Sequence, residues 1–259
     1  GKFHDPLPQG KIADDLRGQL VSNILKDQNL LYLTTSHGIF VYDLIKKSLV
    51  RYLFSGADYS IAYLNNWIIS PVKLKNGEII AASSLHGIFK INYDAEKGNL
   101  SVTCIIADSV LRSRNIKLTQ RFRLYQDTQG SLWLVEKTGL HRISLEKGEI
   151  YDYKLFENIE FPEAWSIIED NHSNLWIGTH FGLCRFNINT GQVKSFTQED
   201  GLPITSHEYN SVCKDKDGRL YFGGIGGFYS FHPDSIKTNT YIPPVVITDF
   251  RLFNRSVNA

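Results

Sequence analysis

At four places this chain sets an aromatic ring close to groups that form hydrogen bonds: Asn66-Trp67, Gln120-Arg121-Phe122, Glu163-Ala164-Trp165 and His207-Glu208-Tyr209. Apolar C–H faces stack on such rings, while amide, carboxylate and guanidinium groups direct hydrogen bonds to hydroxyls. A polyhydroxylated molecule with an apolar face calls for this combination. Trp67, Arg121, Trp165, His207 and Tyr209 are therefore the tentative ligand-binding residues. Structural roles compete with that reading. A Trp near the start of a strand packs readily into a core, and Arg121 serves equally as a solvated loop charge. His207 and Glu208 are neighbours, so on a strand they face opposite sides, which weakens any acid–base partnership.

Catalytic and metal chemistry find less support. The eight histidines are scattered, and His37, His86 and His180 sit just before glycines, where they serve turns better than metals. There is no G-x-S-x-G elbow, H-E-x-x-H pair or phosphate-binding loop. Gly223 to Gly227 is glycine-rich, but it joins two apolar runs of strand type rather than a strand and a helix. Cys104, Cys184 and Cys213 lack zinc-like spacing and read as small buried hydrophobes. No catalytic residue, metal or cofactor is expected.

The elements that position these residues must come from a chain of 259 residues with 28 Lys plus Arg against 27 Asp plus Glu. A net charge of +1 gives no attraction to a polyanion, which argues against nucleic acid as a partner. A hydrophobic fraction of 42%, with 12% aromatics, supplies a large core and excludes intrinsic disorder. No run reaches the roughly 18 apolar residues that suggest a membrane helix. Methionine is absent, even at the first position, as expected of a section cut from a longer translation product.

A repeat organises the sequence. Glycines 38, 87, 139, 182 and 227 recur at intervals of 49, 52, 43 and 45 residues. Each is followed by an apolar residue, and the fourth place after it is apolar or aromatic. Six residues before the glycines stand Tyr32, Ala81, Trp133, Trp176 and Tyr221, the second unit matching least well. Turn signals precede these at Asn29, Gly130, Ser173 and Gly218, with Gly77 nearby in the second unit. Each unit reads as strand, turn, strand, glycine bend, strand, turn, strand. Four antiparallel strands in such a length make one propeller blade.

The expected fold is all-β, a β-propeller of four-stranded antiparallel blades with five blades visible. Blades lie near 21–54, 68–106, 122–155, 165–197 and 210–236, after an N-terminal segment of residues 1–20. The last unit lacks an obvious fourth strand, which leaves a compact five-bladed ring or part of a larger ring, the second slightly favoured. First strands line the central channel of a propeller, which puts Val21, Ile69, Phe122, Trp165 and Asn210 in equivalent places at its mouth.

The run Ile168-Glu169-Asp170-Asn171-His172-Ser173-Asn174-Leu175-Trp176-Ile177-Gly178-Thr179, followed by Gly182-Leu183-Cys184-Arg185-Phe186, resembles the two-component regulator propeller repeat. Asp217-Gly218-Arg219-Leu220-Tyr221-Phe222-Gly223-Gly224 and Phe231-His232-Pro233-Asp234 resemble that family's closing blade. Pro243 to Asn254 resembles the first strand of the triple-tyrosine β-sandwich that usually follows, which makes residues 237–259 a linker and that strand. The resemblance covers about residues 21 to 259. It implies the periplasmic, non-catalytic sensor part of a Bacteroidetes hybrid two-component histidine kinase that controls polysaccharide-utilisation genes. Implied partners are an oligosaccharide or other small glycan, the rest of the sensor chain and a second copy in a homodimer. A streptogramin-lyase-like enzyme, which uses a metal and a catalytic histidine, and a protein-interaction propeller are the alternatives.

Overall fold

The structure is a computed structural model that describes residues 14, 16–17, 20–35, 38–53, 68–118, 122–137, 139–155, 164–204, 206–236, 251–252 and 255–256. Blade one comprises β1 (Val21–Asp27), β2 (Leu30–Thr35), β3 (Gly38–Asp43) and β4 (Ser48–Leu53). Blade two has β5 (Ile68–Lys73), β6 (Ile79–Ser83), β7 (Gly87–Asp94) and β8 (Asn99–Ile106), then helix α1 (Asp108–Ser113). Blade three is β9 (Arg123–Gln126), β10 (Leu132–Glu136), β11 (Gly139–Ser144) and β12 (Glu149–Tyr153). Blade four is β13 (Ala164–Glu169), β14 (Asn174–Thr179), β15 (Leu183–Asn187) and β16 (Val193–Phe196). Blade five shows three strands among the described residues: β17 (His207–Lys214), β18 (Leu220–Gly224) and β19 (Gly227–Phe231). Each sheet is an antiparallel meander, and neighbouring first strands touch in chain order from β1 to β17. The fold is a β-propeller.

Local chemistry explains the turn between the first two strands. In blades three to five an Asp closes it: Asp127, Asp170 and Asp215 each accept two backbone N–H groups through Oδ1. Their second oxygen takes a donor from the aromatic six residues on. Trp133 Nε1 lies 2.7 Å from Asp127, Trp176 Nε1 2.8 Å from Asp170, and Tyr221 OH 3.1 Å from Asp215. The repeat's acidic and aromatic positions are thus one unit that satisfies both the turn and the donor on the ring, an indole N–H in blades three and four and a phenol O–H in blade five.

Blade two is built differently, which corrects the sequence alignment. Tyr32, Trp133, Trp176 and Tyr221 all pair with the residue three places after the repeat glycine. In blade two that partner, Lys90, pairs with Ile80, whereas Ala81 pairs with Phe89. The turn from Ser83 to Gly87 holds three residues against two in blade three, so counting back from the glycine lands one position late. Leu74 occupies the place of the turn Asp: its N–H and carbonyl partners match those of Asp127 and Asp215. An apolar Leu74–Ile80 pair, both buried, therefore replaces the Asp–Trp pair.

The core lies between blades. Trp133 packs edge-on against Phe186 of the next blade at 5.4 Å between centroids, and Trp176 against Phe231 at 4.9 Å. Hydrogen bonds reinforce these contacts: Thr128 donates its N–H and hydroxyl to the Glu169 carboxylate, both at 2.6 Å, and Lys214 Nζ donates to the Glu169 carbonyl. At the glycine bend the chain passes close to the outer strand. A Cβ on Gly182, whose φ is +145°, would sit 2.3 Å from the Phe196 carbonyl oxygen.

Two expectations about single residues change or fall outside view. Of the three, only Cys184 is buried, in the cluster between blades three and four; Cys104 and Cys213 are exposed. All three cysteines are free thiols. Most of the segment read as the start of a sandwich lies outside the described residues. Within it, residues 251–252 pair antiparallel with residues 255–256.

Candidate ligand-binding face

Strand direction places the candidate residues together. Successive strands of a blade run antiparallel, so the bend between second and third strands opens on the same face as the connection into the next blade. For blades four and five that face carries the turn at His180 and Phe181 and the approach to β17 at Ser206. Ser206 Oγ lies 3.1 Å from His180 Nδ1, which ties the two together.

Four of the five first strands, all but β9, are bulged. Register shifts occur between Val21 and Asn23, Ile69 and Val72, Ala164 and Ser166, and His207 and Val212. Inside these intervals Ser70 and Asn210 take left-handed backbone, with φ of 63° and 57°. A bulge inserts unpaired residues and re-aims side chains, and it recurs at rims and near sites. Trp165 is the inserted residue of β13, and Glu208, Tyr209 and Asn210 belong to the interval in β17.

Trp165 is only 7% exposed and its ring lies 5.8 Å from that of His180, tilted by 42°. Phe181, 45% exposed, meets His180 edge-on at 5.5 Å. A row of ring contacts, one tilted and one edge-on, thus runs from the buried indole through the imidazole to an exposed phenyl. Sequence reading assigned His180 to the turn alone and passed over Phe181. Their position just before the repeat glycine was a usable signal, because that bend faces the channel mouth.

His207 is fully buried. Its Nδ1 lies 2.9 Å from the Thr179 carbonyl and its Nε2 2.7 Å from the Tyr229 hydroxyl. A carbonyl only accepts, so Nδ1 carries a proton and donates to Thr179. Burial pushes the Tyr229 hydroxyl well above the usual phenol range, which keeps it protonated beside Nε2. His207 thereby holds the strand that ends in the His180–Phe181 turn. Gly178 makes the approach possible: a Cβ there would meet Ser166 Oγ at 2.4 Å and His207 Cγ at 3.0 Å.

Tyr209 reaches furthest. Its hydroxyl donates to the Phe122 carbonyl at 3.1 Å, and its ring packs against the cluster of blades two and three. That bond skips blade four's first strand and so crosses the centre of the blade row. Burial raises the Tyr209 hydroxyl pKa, with nearby Arg123 acting in the opposite sense. Ser70 links the remaining first strands, donating to the Leu124 carbonyl and accepting from its N–H. Glu208 is exposed. Trp67 and Arg121, with Asn66, Gln120 and Glu163, lie outside the described residues.

Among the described residues no group of three His, Cys, Asp or Glu side chains is placed to hold a metal ion. The face presents the exposed His180 and Phe181 rings beside the Ser206 hydroxyl.

The comparisons with known proteins agree with the fold. No protein-family model matches the chain. Histidine kinase P4 of Formosa agariphila is 44% identical over 62 residues, which is 24% of this chain and 4% of that protein. The chain superposes on the extracellular domain of the hybrid two component system BT3049 from B. thetaiotaomicron with a TM-score of 0.67 and 22% identity. That match covers 93% of this chain but 32% of the other, so the chain spans about a third of the domain it resembles. A virginiamycin B lyase from Staphylococcus aureus superposes with a TM-score of 0.58 at 16% identity, over 85% of this chain and 71% of the lyase. Both superpositions establish the propeller fold. The chain is similar to a stretch of a histidine kinase and to the extracellular part of a hybrid two-component system.

Proposed function

We propose that this chain is the extracytoplasmic, non-catalytic ligand-sensing propeller of a hybrid two-component histidine kinase in the periplasm. The observation that carries the reading is the 62-residue match to a histidine kinase at 44% identity, found in a chain that folds as propeller blades. The ligand is an oligosaccharide bound at the channel mouth. Phe181 and His180 supply the exposed contact, Trp165 and His207 hold that turn in place, and Tyr209 with Trp67 and Arg121 completes the site. The rest of the sensor chain, ending in a triple-tyrosine-like sandwich and paired as a homodimer, carries the signal to the kinase and on to polysaccharide-utilisation genes. Ligand shifts the kinase only through differential affinity for two packings of propeller, sandwich and dimer partner.

The test uses the full-length protein in membranes. Autophosphorylation is followed against a panel of neutral oligosaccharides, for the native sequence and for Trp165→Ala. The expected result is that at least one oligosaccharide changes the rate and that Trp165→Ala loses the response while keeping basal phosphorylation. A flat response to every oligosaccharide contradicts the reading, as does turnover of the sugar by this chain alone.

A further inference from the structure

A guanidinium stands near the centre of the blade row without a carboxylate beside it. Arg123 pairs with Val135, and Tyr125 with Trp133, so all four side chains leave their strands on the side that packs against blade four. The hydroxyl beside Arg123, however, is that of Tyr209, which comes from β17 of blade five and donates to the Phe122 carbonyl. The guanidinium therefore lies on the axis side of β13, near the bulge between Ala164 and Ser166. Its Nε is buried and has no hydrogen-bond partner among the described residues.

The carboxylates of the neighbouring strands are committed elsewhere: Asp127 to Trp133, Glu136 to His141 and Glu169 to Thr128. Among the described residues no ion pair includes Arg123. Asn23 and Ser166 stand at the same level of their own first strands, since each, like Arg123, pairs with the residue two places after the repeat aromatic. Asn23 Nδ2 and Ser166 Oγ are likewise buried and without partners. Two of these three atoms can only donate, and the hydroxyl donates as well as accepts. At this level the first strands are short of acceptors. The guanidinium has the greatest need of one, because a charge taken out of water without a partner is costly. Its planar fork fits the two oxygens of a carboxylate.

We propose that the centre of the blade row binds a carboxylate, held by the Arg123 guanidinium beside the Tyr209 hydroxyl. One guanidinium balances one negative charge, which suits a monocarboxylate better than a phosphate. A small free acid and the carboxyl group of a uronic acid sugar share this chemistry. The inference stands on Arg123 and does not depend on the oligosaccharide reading of the channel mouth.

The experiment is heteronuclear NMR of the arginine Nε–H signals of the intact chain, in a buffer free of carboxylates. Sodium acetate, methyl glucuronide, methyl glucoside and sodium chloride are titrated at constant ionic strength, and the Arg123 signal is identified by its loss in Arg123→Lys. A carboxylate is expected to move that signal saturably, while chloride and the neutral glucoside leave it in place. A response to acetate supports the site with a free acid as its guest; a response to the glucuronide alone supports it with a sugar-borne carboxylate. By calorimetry, Arg123→Gln should weaken the binding about tenfold or more, as expected for a lost charge-assisted pair, and Arg123→Lys, which keeps the charge without the fork, should fall between. Unchanged amide signals elsewhere verify both folds. No saturable shift with either acid overturns the proposal, as does an equal shift with chloride or full affinity in Arg123→Gln. Glucoside shifts confined to His180 and Phe181, with Arg123 unmoved by every probe, overturn this site while supporting the channel mouth; acetate shifts at Arg123 with no glycoside response do the reverse.

Discussion

His141 shows how a single side chain carries charge into a blade. It is 5% exposed on β11, with Nδ1 2.7 Å from Asp152 and Nε2 3.0 Å from the fully buried Glu136. Burial opposes its protonation, but the two carboxylate partners outweigh burial and raise its pKa above the ordinary imidazole value. Both ring nitrogens then donate. A raised folded pKa contributes stability that is fully present below the unfolded value of about 6.5 and is lost as pH rises through the folded one. His141→Gln keeps the shape without the charge. Urea unfolding should show the native chain's advantage over this variant shrinking as pH rises above about 6.5; an advantage independent of pH would contradict the account. Asp170 works in the opposite direction. Burial disfavours its charge, yet bonds from Trp176, Asn174 and His172 hold its pKa below the usual carboxylate range, so its contribution is lost on acidification. Hydrogen bonds to a charged group are worth about 1.5–3 kcal/mol each. The Asp–Trp signature of the repeat is therefore a folding device, and Trp133 and Trp176, both about 1% exposed, are packing residues. The partnership with Asp leaves a sequence signal too, an Asp six residues before the aromatic at 127, 170 and 215, but the spacing alone does not say that the two side chains bond across the turn.

At the scale of the element, the closeness of one blade's second strand to the next blade's first strand sets what the repeat tolerates. Gly178 on β14 faces Ser166 and His207 at distances that leave no room for a methyl group. Gly178→Ala should destabilise the fold by about 1–3 kcal/mol through overpacking, read as a lower urea midpoint. An unchanged midpoint would show that β14 and β17 separate at little cost. The strands and their order were legible because alternating apolar residues, turn glycines and a fixed period all point one way. Blade two was the exception. One extra residue in the turn before Gly87 displaces the alignment, and only the pairing of Ile80 with Lys90 restores it. The bulges in β1, β5, β13 and β17 were also hidden, since an inserted residue looks like any other in a short strand. They are what turns Trp165 away from the regular ladder and against His180.

For the whole molecule, exposed apolar surface gathers at the two ends of the blade row. Ile24 in β1 is 61% exposed and Phe228 in β19 is 73% exposed, whereas Trp165 and its β13 neighbours are largely buried. Inner blades bury both faces against neighbours, so interface packing rather than any single sheet holds the propeller together. The candidate site was legible in part: Trp165, His207 and Tyr209 do gather near the first strands of blades four and five, but the most exposed aromatic there is Phe181. Burial depends on which blade lies alongside, and a sequence period does not reveal that. The near-neutral charge that first argued against nucleic acid suits a ligand recognised by stacking and hydroxyl contacts. The measurement that tests this most directly is calorimetric titration of the folded chain with a panel of neutral oligosaccharides, alongside Phe181→Ala. Saturable binding to at least one of them, weakened at least tenfold in Phe181→Ala (about 1.4 kcal/mol), is the predicted result; silence across the panel from an intact propeller, or full affinity in the variant, would contradict it.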